Sequence, residues 1–345
     1  PREICKQIPA IKDYPDHRFV NDLAHGIEMS IRIADLFCGI GGIAEAVHHW
    51  TKPASLPDSL PVSRGTGHPP RIAIAIDIDR SVAALYQRHH GITPRCSTIE
   101  SLKSVSENAM EPIGMWWMSP PCQPYTRRGL QRGSQDSRSH ALGHLIKLIP
   151  KQGPRYIGLE NVPAFEGSEH HQQLQETLNN EGYQFKEYLL CPSELGIPMK
   201  RRRYYLLAKQ GGALLADISQ TQSVRVLADF IHEECWHDTT LQVPPNVLHH
   251  YESALNIIDI QHRDAIAACF TSAYGKSHVK SGSYLRCPRR GVVRRFSPNE
   301  IANLMGFRES FFSSSELSQR SQYRLIGNSL AVHVVYELLS VLFTE

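Results

Sequence analysis

From residue 31 to residue 161, short apolar runs alternate with stretches of helical periodicity. "IRIADLF" (31–37) and "RIAIAID" (71–77) are continuous apolar runs that end in Asp or turn residues, and "IGMWWMS" (113–119) and "RYIGLEN" (155–161) repeat the form. Runs of this kind predict parallel strands covered on both faces. Between and after them, "IAEAVHHW" (43–50), "SVAALYQRHH" (81–90), "SRSHALGHLIKLI" (137–149) and "HHQQLQETLNN" (170–180) predict helices. Strand and helix in alternation predict an open, doubly wound α/β sheet. Two β-rich segments close together, "QFKEYLLCP" (184–192) and "RRRYYLLAK" (201–209), predict an antiparallel hairpin at its edge. The final "SLAVHVVYELLSVLF" (329–343) predicts a helix packed back on the sheet. The Pro/Gly/Ser-rich stretch 51–70 reads as a surface loop.

Composition changes this picture little. With 345 residues, 41% of them hydrophobic, the chain can bury one large core with a smaller appendage or two modest domains. There is no run of eighteen apolar residues and the polar start lacks a secretory pattern, so neither membrane insertion nor export is expected, and a cytoplasmic setting is. Eight scattered cysteines without a C-x-x-C pair suggest neither a disulfide framework nor a metal site. A net charge of +3 does not by itself argue for a polyanion partner. The local clusters "KRRR" (200–203) and "RCPRRGVVRR" (286–295) argue for one better.

Candidate chemistry gathers at strand ends, which in an α/β sheet face one crevice. "DLFCGIGG" (35–42) follows a strand and opens a helix, where glycines let a ligand approach the backbone. It reads F-x-G-x-G rather than the dinucleotide G-x-G-x-x-G, which points to S-adenosylmethionine; a tight turn without ligand is the plainer reading. Asp77, at the end of the second strand once the 51–70 loop is discounted, can accept hydrogen bonds from ribose hydroxyls. "SPPCQPYT" (119–126) follows the third strand, and prolines 120, 121 and 124 restrict the backbone around Cys122. A lone Cys is usually a small buried hydrophobe, but this bracket fits a thiol held for nucleophilic attack. Glu160 ends the next strand behind apolar "YIGL", which would desolvate it and raise its pKa. Arg201 and Arg203 alternate along their segment, so both face one way while Arg202 faces the other. Two guanidinium groups suit a carbonyl oxygen or a phosphate; a solvated charge run is the alternative.

Taken in order, these stretches resemble the cytosine-5 methyltransferase family. "DLFCGIGG", "SPPCQPYT", "LENV" (159–162), "RRRYYLLA", "RFSPNEIANLMGF" (295–307) and "GNSLAVHVV" (327–335) are similar to six of its motifs, over residues 31 to the C-terminus. The family often has Gln ahead of R-x-R where this chain has Met199, and the 51–70 loop is additional. The resemblance implies a Rossmann-like S-adenosylmethionine-dependent methyltransferase sheet, doubly wound and mostly parallel, with a small target-recognition region. It implies an N-terminal arm (1–30), a catalytic domain (31–210), the recognition region (211–290) and C-terminal motifs packing back (291–345). It also implies that Cys122 adds to C6 of cytosine, Glu160 holds N3 and the exocyclic amine, and Arg203 with Arg201 binds O2. Cofactor contacts map to Phe37, Gly39, Gly41, Gly42, Asp77, Ile78, Ile99, Asn328 and Ser329.

The interval between the R-x-R strand and "RFSPNEIANLMGF" is small for a reader of DNA sequence. Within it, "CFTSAYGKSHVKSGSYL" (269–285) resembles the Cys-Phe-Thr stretch of the tRNA-methylating subfamily often called Dnmt2. That likeness implies an anticodon-loop cytosine, cytosine 38 of tRNA-Asp or a similar tRNA, as substrate. Such a base is presented more cheaply than one in duplex DNA. Cys269, Phe270 and Thr271, with the cations Lys200, Arg202, Lys276, Lys280, Arg289 and Arg290, are the expected nucleic-acid contacts. DNA cytosine-5 methylation is the alternative, and a non-catalytic nucleic-acid binder a third reading that the intact Cys122, Glu160, Arg201 and Arg203 disfavour. Nothing demands more than a monomer.

Overall fold

The computed structural model describes residues 30–51, 69–106, 111–122, 140–212, 215–218, 225–287 and 291–343. The expected arm and most of the 51–70 loop therefore lie outside the described residues. In chain order the first unit runs β1 (Arg32–Leu36), α1 (Gly42–Thr51), β2 (Arg71–Asp77), α2 (Ala83–His90), β3 (Arg95–Cys96), β4 (Met115–Met118), α3 (His140–Gln152), β5 (Tyr156–Asn161), α4 (Glu169–Asn180), β6 (Tyr183–Leu190) and β7 (Arg203–Gln210). Its sheet has the strand order β3-β2-β1-β4-β5-β7-β6. β1 to β5 are parallel, and β7 runs antiparallel to both β5 and β6, so the expected hairpin does form the edge. Strand order reverses between β1 and β4, and a ligand crevice belongs at that reversal.

Alternation along the strands divides the core. Trp116 faces α3 and α4 with Ala34, Leu36, Leu145 and Leu174. Trp117, one residue on, faces the opposite layer with Ile33, Tyr205 and Leu207. Gly158 lies beside it because a Cβ there would come within 2.4 Å of the Trp117 ring.

The second unit comprises α5 (Pro245–Tyr251), β8 (Asn256–Asp259), β9 (Ser283–Cys287), β10 (Val292–Arg295), α6 (Pro298–Leu304), α7 (Gln319–Asn328) and α8 (Val332–Phe343). β10, β9 and β8 form a separate three-stranded sheet. A boundary at residue 290 thus falls inside that sheet, because β10 pairs with β9 across it. Tyr284, Phe270 and Phe296 belong to the same continuous core as Ile33 and Trp117, so the small sheet is welded to the large one. α7 starts at the cap Ser318, whose hydroxyl accepts from the Ser321 N–H. Gly327 in its last turn has no room for a side chain: a Cβ would meet the Thr271 backbone at 2.3 Å. The stretch Gln319–Phe343 is long and apolar enough to cross a membrane by length and composition, yet it is mostly buried within the fold.

Candidate active site

At the carboxyl ends of β1, β2, β4 and β5 opens a cavity of about 460 Å³. One half is built by the first glycine turn. Phe37 and Gly39 hold positive φ, +61° and +51°, which turns the chain out of β1 towards α1. The Gly39 N–H donates to Asp77 Oδ2 at 2.8 Å, and the Asp79 N–H donates to Asp77 Oδ1 at 2.8 Å. Burial raises the Asp77 carboxyl above its usual range, against the pull of those two N–H groups. The end of β2 is thereby tied to the turn after β1.

Not every glycine of that turn serves the cavity. A Cβ on Gly39 would meet nothing within 4 Å, so space is open there. On Gly41 it would come within 2.4 Å of His90 Nε2, and on Gly42 within 2.5 Å of Leu330 Cδ1. Gly42 still lines the cavity, but its missing side chain makes room for Leu330. Gly41 is not among the lining residues; the expectation that it contacts a cofactor is corrected to packing of α1 against α2. Phe37, Asp77, Ile78, Ile99, Asn328 and Ser329 all line the cavity. Ile78 exposes 70% of its surface, an unusual state for an isoleucine. Open space at Gly39, a carboxylate at Asp77 and an uncovered apolar face at Ile78 fit an adenosine group: hydroxyls to the acid, the base to the apolar face.

The other half holds ionisable groups. Cys122, Glu160, Arg201 and Arg203 line the same cavity, and Arg203 Nε lies 3.4 Å from Glu160 Oε1. Burial pushes the Cys122 thiol up, and Glu160 adds to this; Arg203 and Arg201 oppose it. Burial likewise pushes the Glu160 carboxyl up against the same two arginines. Each acid therefore favours its proton while the other is charged, and the guanidinium groups favour losing it.

Arg201 is placed differently from expectation. β7 begins only at Arg203, and the Arg201 guanidinium, in a residue 3% exposed, donates to the main-chain carbonyls of Phe270, Gly327 and Ser329. It is a clamp between β7, the 270s loop and the end of α7, and it acts on the cavity through its charge. Phe270 is 1% exposed and packs against Tyr274 and Phe296, so its assignment as a nucleic-acid contact is corrected: it is core. Thr271 is half-buried, pinned by its N–H to the Ser281 carbonyl. Cys269 is half-buried beside both arginines, which lower its thiol pKa against the effect of burial. Lys200, Arg202, Lys276 and Lys280 are exposed, with Arg202 paired to Glu194. Arg289 and Arg290 lie outside the described residues.

Several lining residues carried no signal in the sequence. Asp35 is 2% exposed, accepts from the Tyr86 hydroxyl at 2.9 Å, and is raised by burial to about 8. Asn161, adjacent to Glu160, caps its own turn through the Val162 N–H and leaves its amide nitrogen buried without a partner. Asp79 and Arg324 meet on the cavity rim. The "LENV" run marks Asn161 as a neighbour of interest; nothing local marks the others.

Comparison with known proteins places this geometry. Residues 31–344 match the family model described as C-5 cytosine-specific DNA methylase. The chain is 28% identical over 406 residues to the tRNA (cytosine(38)-C(5))-methyltransferase of Homo sapiens, covering 91% of this chain and 99% of that protein. It is 31% identical over 308 residues to a DNA (cytosine-5)-methyltransferase of Dictyostelium discoideum, covering 71% of this chain and 79% of that one. Among solved structures, the S. pombe Dnmt2 methyltransferase superposes with a TM-score of 0.75 at 28% identity, over 91% of this chain and 98% of that one.

Proposed function

This chain belongs to the C-5 cytosine-specific DNA methylase family, and from that premise we propose that it transfers a methyl group from S-adenosylmethionine to C5 of a cytosine in tRNA, cytosine 38 of the anticodon loop. The observation that carries the chemistry is the convergence of Cys122, Glu160 and Arg203 with the Gly39 turn and Asp77 on one cavity. Relatives named for tRNA cytosine 38 span about 90% of the chain at 28–30% identity, whereas a DNA-named relative at 31% covers 71% of it and a Type II methyltransferase that covers 88% is 24% identical. That difference favours tRNA. The short interval between β7 and α6, whose described residues form a three-stranded sheet with short helices, agrees, since a looped-out base needs less readout than one buried in a duplex.

Bound in the cofactor half, S-adenosylmethionine supplies an electrophilic methyl group. Phe37, Gly39, Asp77, Ile78, Ile99, Asn328 and Ser329 are the residues that would hold it. In the other half, burial lifts the Glu160 carboxyl, which favours the protonated form that donates to N3 of the cytosine, its second oxygen accepting from the exocyclic amine. A neutral Glu160 no longer repels a thiolate, and the charges of Arg203 and Arg201 then favour ionised Cys122. The sulfur adds to C6, and the electron pair displaced to C5 makes that carbon the nucleophile. Arg203 binds O2 and stabilises the charge that builds on the ring. Once C5 carries the methyl group, loss of its proton to solvent restores the C5–C6 double bond and expels the Cys122 thiolate, and the proton on N3 returns to Glu160.

Methyl transfer to total tRNA and to mixed-sequence duplex DNA, run in parallel with labelled cofactor, tests this. Label in tRNA and not in DNA is the expected result. Label confined to DNA would overturn the choice of substrate, and label in neither would overturn the enzyme reading.

A further inference from the structure

Asp79 and Arg324 are 245 positions apart, yet they meet on the rim of the cofactor half. Arg324 Nη1 donates to Asp79 Oδ2 at 2.8 Å and Nη2 donates to Ser81 Oγ at 3.2 Å. Asp79 is already oriented: its Oδ1 accepts from the Ser81 N–H at 2.9 Å and hydroxyl at 2.6 Å, capping the 3₁₀ turn Arg80–Val82. Burial raises the Asp79 carboxyl, but the hydrogen bonds from Ser81 and Arg324 outweigh it and hold it below the usual carboxylate range. The acid is therefore charged at neutral pH and the pair is ionic. Side-chain exposures of 44% for Arg324 and 31% for Asp79 put the pair at the boundary with solvent.

Both residues line the cavity, and each continues into groups already assigned to the cofactor. The Asp79 N–H donates to the Asp77 carboxylate, which in turn accepts from Gly39. Arg324 stands four residues before Asn328 on α7, on the same face of the helix. The far end of α7 is fixed by Arg201, through the carbonyls of Gly327 and Ser329. α7 thus borders the cavity mouth, held by the buried Arg201 clamp at its C-terminal end and, about one turn earlier, by a solvent-accessible ion pair. The neighbouring Tyr323 hydroxyl donates to the Phe296 carbonyl from within the core, so among these contacts it is the ion pair that can open without uncovering the core.

We propose that Arg324 and Asp79 form a clasp over the cofactor half, and that opening this ion pair limits the rate at which the cofactor and its demethylated product leave. This rests on the assignment of that half to S-adenosylmethionine. Both residues are positioning residues: they act through the rim turn and through α7, not on the reacting atoms. Ile78 lies between Asp77 and Asp79, so closing the clasp fixes the apolar face that receives the base.

The test is stopped-flow displacement of S-adenosylhomocysteine from the whole chain. Arg324→Gln and Asp79→Asn should each speed release by roughly 3- to 5-fold, the upper part of the range a partly screened ion pair supplies. The double variant should release no faster than the faster single one. Raising salt should speed release from the unsubstituted chain and leave Arg324→Gln unaffected. Because Asp79 also caps its turn, Arg324→Lys, which leaves that cap in place and keeps the charge, serves as a second check. Slow release retained in Arg324→Lys and lost in Arg324→Gln, at an unchanged melting temperature, supports the clasp. A release rate for Arg324→Gln within about twofold of the unsubstituted chain, or single effects that multiply, overturns it. An unsubstituted chain that fails to bind S-adenosylhomocysteine at all rejects the proposed cofactor itself, a different failure.

Discussion

The two halves of the cavity are built on opposite principles. In the cofactor half the polar groups are already satisfied within the protein: both Asp77 oxygens accept backbone N–H groups, and both Asp79 oxygens accept from Ser81 or Arg324. What this half offers is shape, an open turn and an apolar face. In the other half Cys122 and Glu160 are desolvated, and the charges of Arg203 and Arg201 are their chief compensation. A pocket whose charges already balance gains little electrostatically when its ligand arrives and binds it through shape and apolar contact. One whose acids are pushed up and whose cation lies beside them gains when the incoming base supplies hydrogen-bond partners where charge develops. The contrast assigns tight ground-state binding to the first half and rate to the second.

Separating the halves by substitution is the sharpest test of that contrast. Cys122→Ala should lower methyl transfer by at least about 10³-fold while cofactor affinity stays within about twofold, since the nucleophile is removed and the cofactor half untouched. Single-turnover transfer and calorimetric binding, measured on the same preparation, decide it; parallel loss of both would merge the halves. Glu160→Gln should cost about 10²-fold in turnover with the same indifference of cofactor affinity. Ile78→Ser should do the reverse: removing the apolar face offered to the base should weaken cofactor binding by roughly tenfold while saturated turnover is nearly kept. Turnover should also rise with pH, by up to about tenfold per unit and only until Glu160 loses the proton it gives to N3, because burial lifts the Cys122 thiol above the ordinary cysteine range and leaves little thiolate. A flat profile would mean that ionisation precedes and does not limit attack.

The smallest expected effect is a control outside both halves. His333, 2% exposed on α8 with neither ring nitrogen partnered, is pushed down by burial to about 3. The fold holds it neutral while the unfolded chain protonates it near 6.5, so stability falls as pH drops from about 6.5 towards 3. At pH 5 the loss is about 2 kcal/mol. His333→Leu should remove that part of the acid sensitivity, seen as a smaller gap between melting temperatures at about pH 5 and about pH 8. Turnover per folded molecule should be unchanged.

Much of this architecture is legible in the chain. Apolar runs ending in Asp35, Asp77 and Asn161 announce the parallel strands, and strand ends in such a sheet share a crevice, so Cys122 and Glu160 can be placed together before any contact is known. The prolines around Cys122 and the turn at Gly39 are local constraints, and local constraints survive in sequence. The corrections all concern contacts between distant segments. Gly41 looks like a ligand site in its motif because the residue that fills its space, His90, lies on another helix. Arg201 looks like half of an exposed pair because its carbonyl partners come from residues 270, 327 and 329. Phe270 looks like a nucleic-acid contact because "CFT" carries no mark of the Tyr274 and Phe296 rings that enclose it.

The sequence by itself determined the order of strands and helices, the crevice and the chemical identity of the groups that face it, because periodicity and turn chemistry act over a few residues. Tertiary structure alone decided how those groups are held: burial pushes the Cys122 thiol and the Glu160 carboxyl up, and main-chain carbonyls engage the two terminal nitrogens of Arg201. It also joined Asp79 to Arg324, since a Coulombic pair depends on separation in space and leaves no trace in separation along the chain.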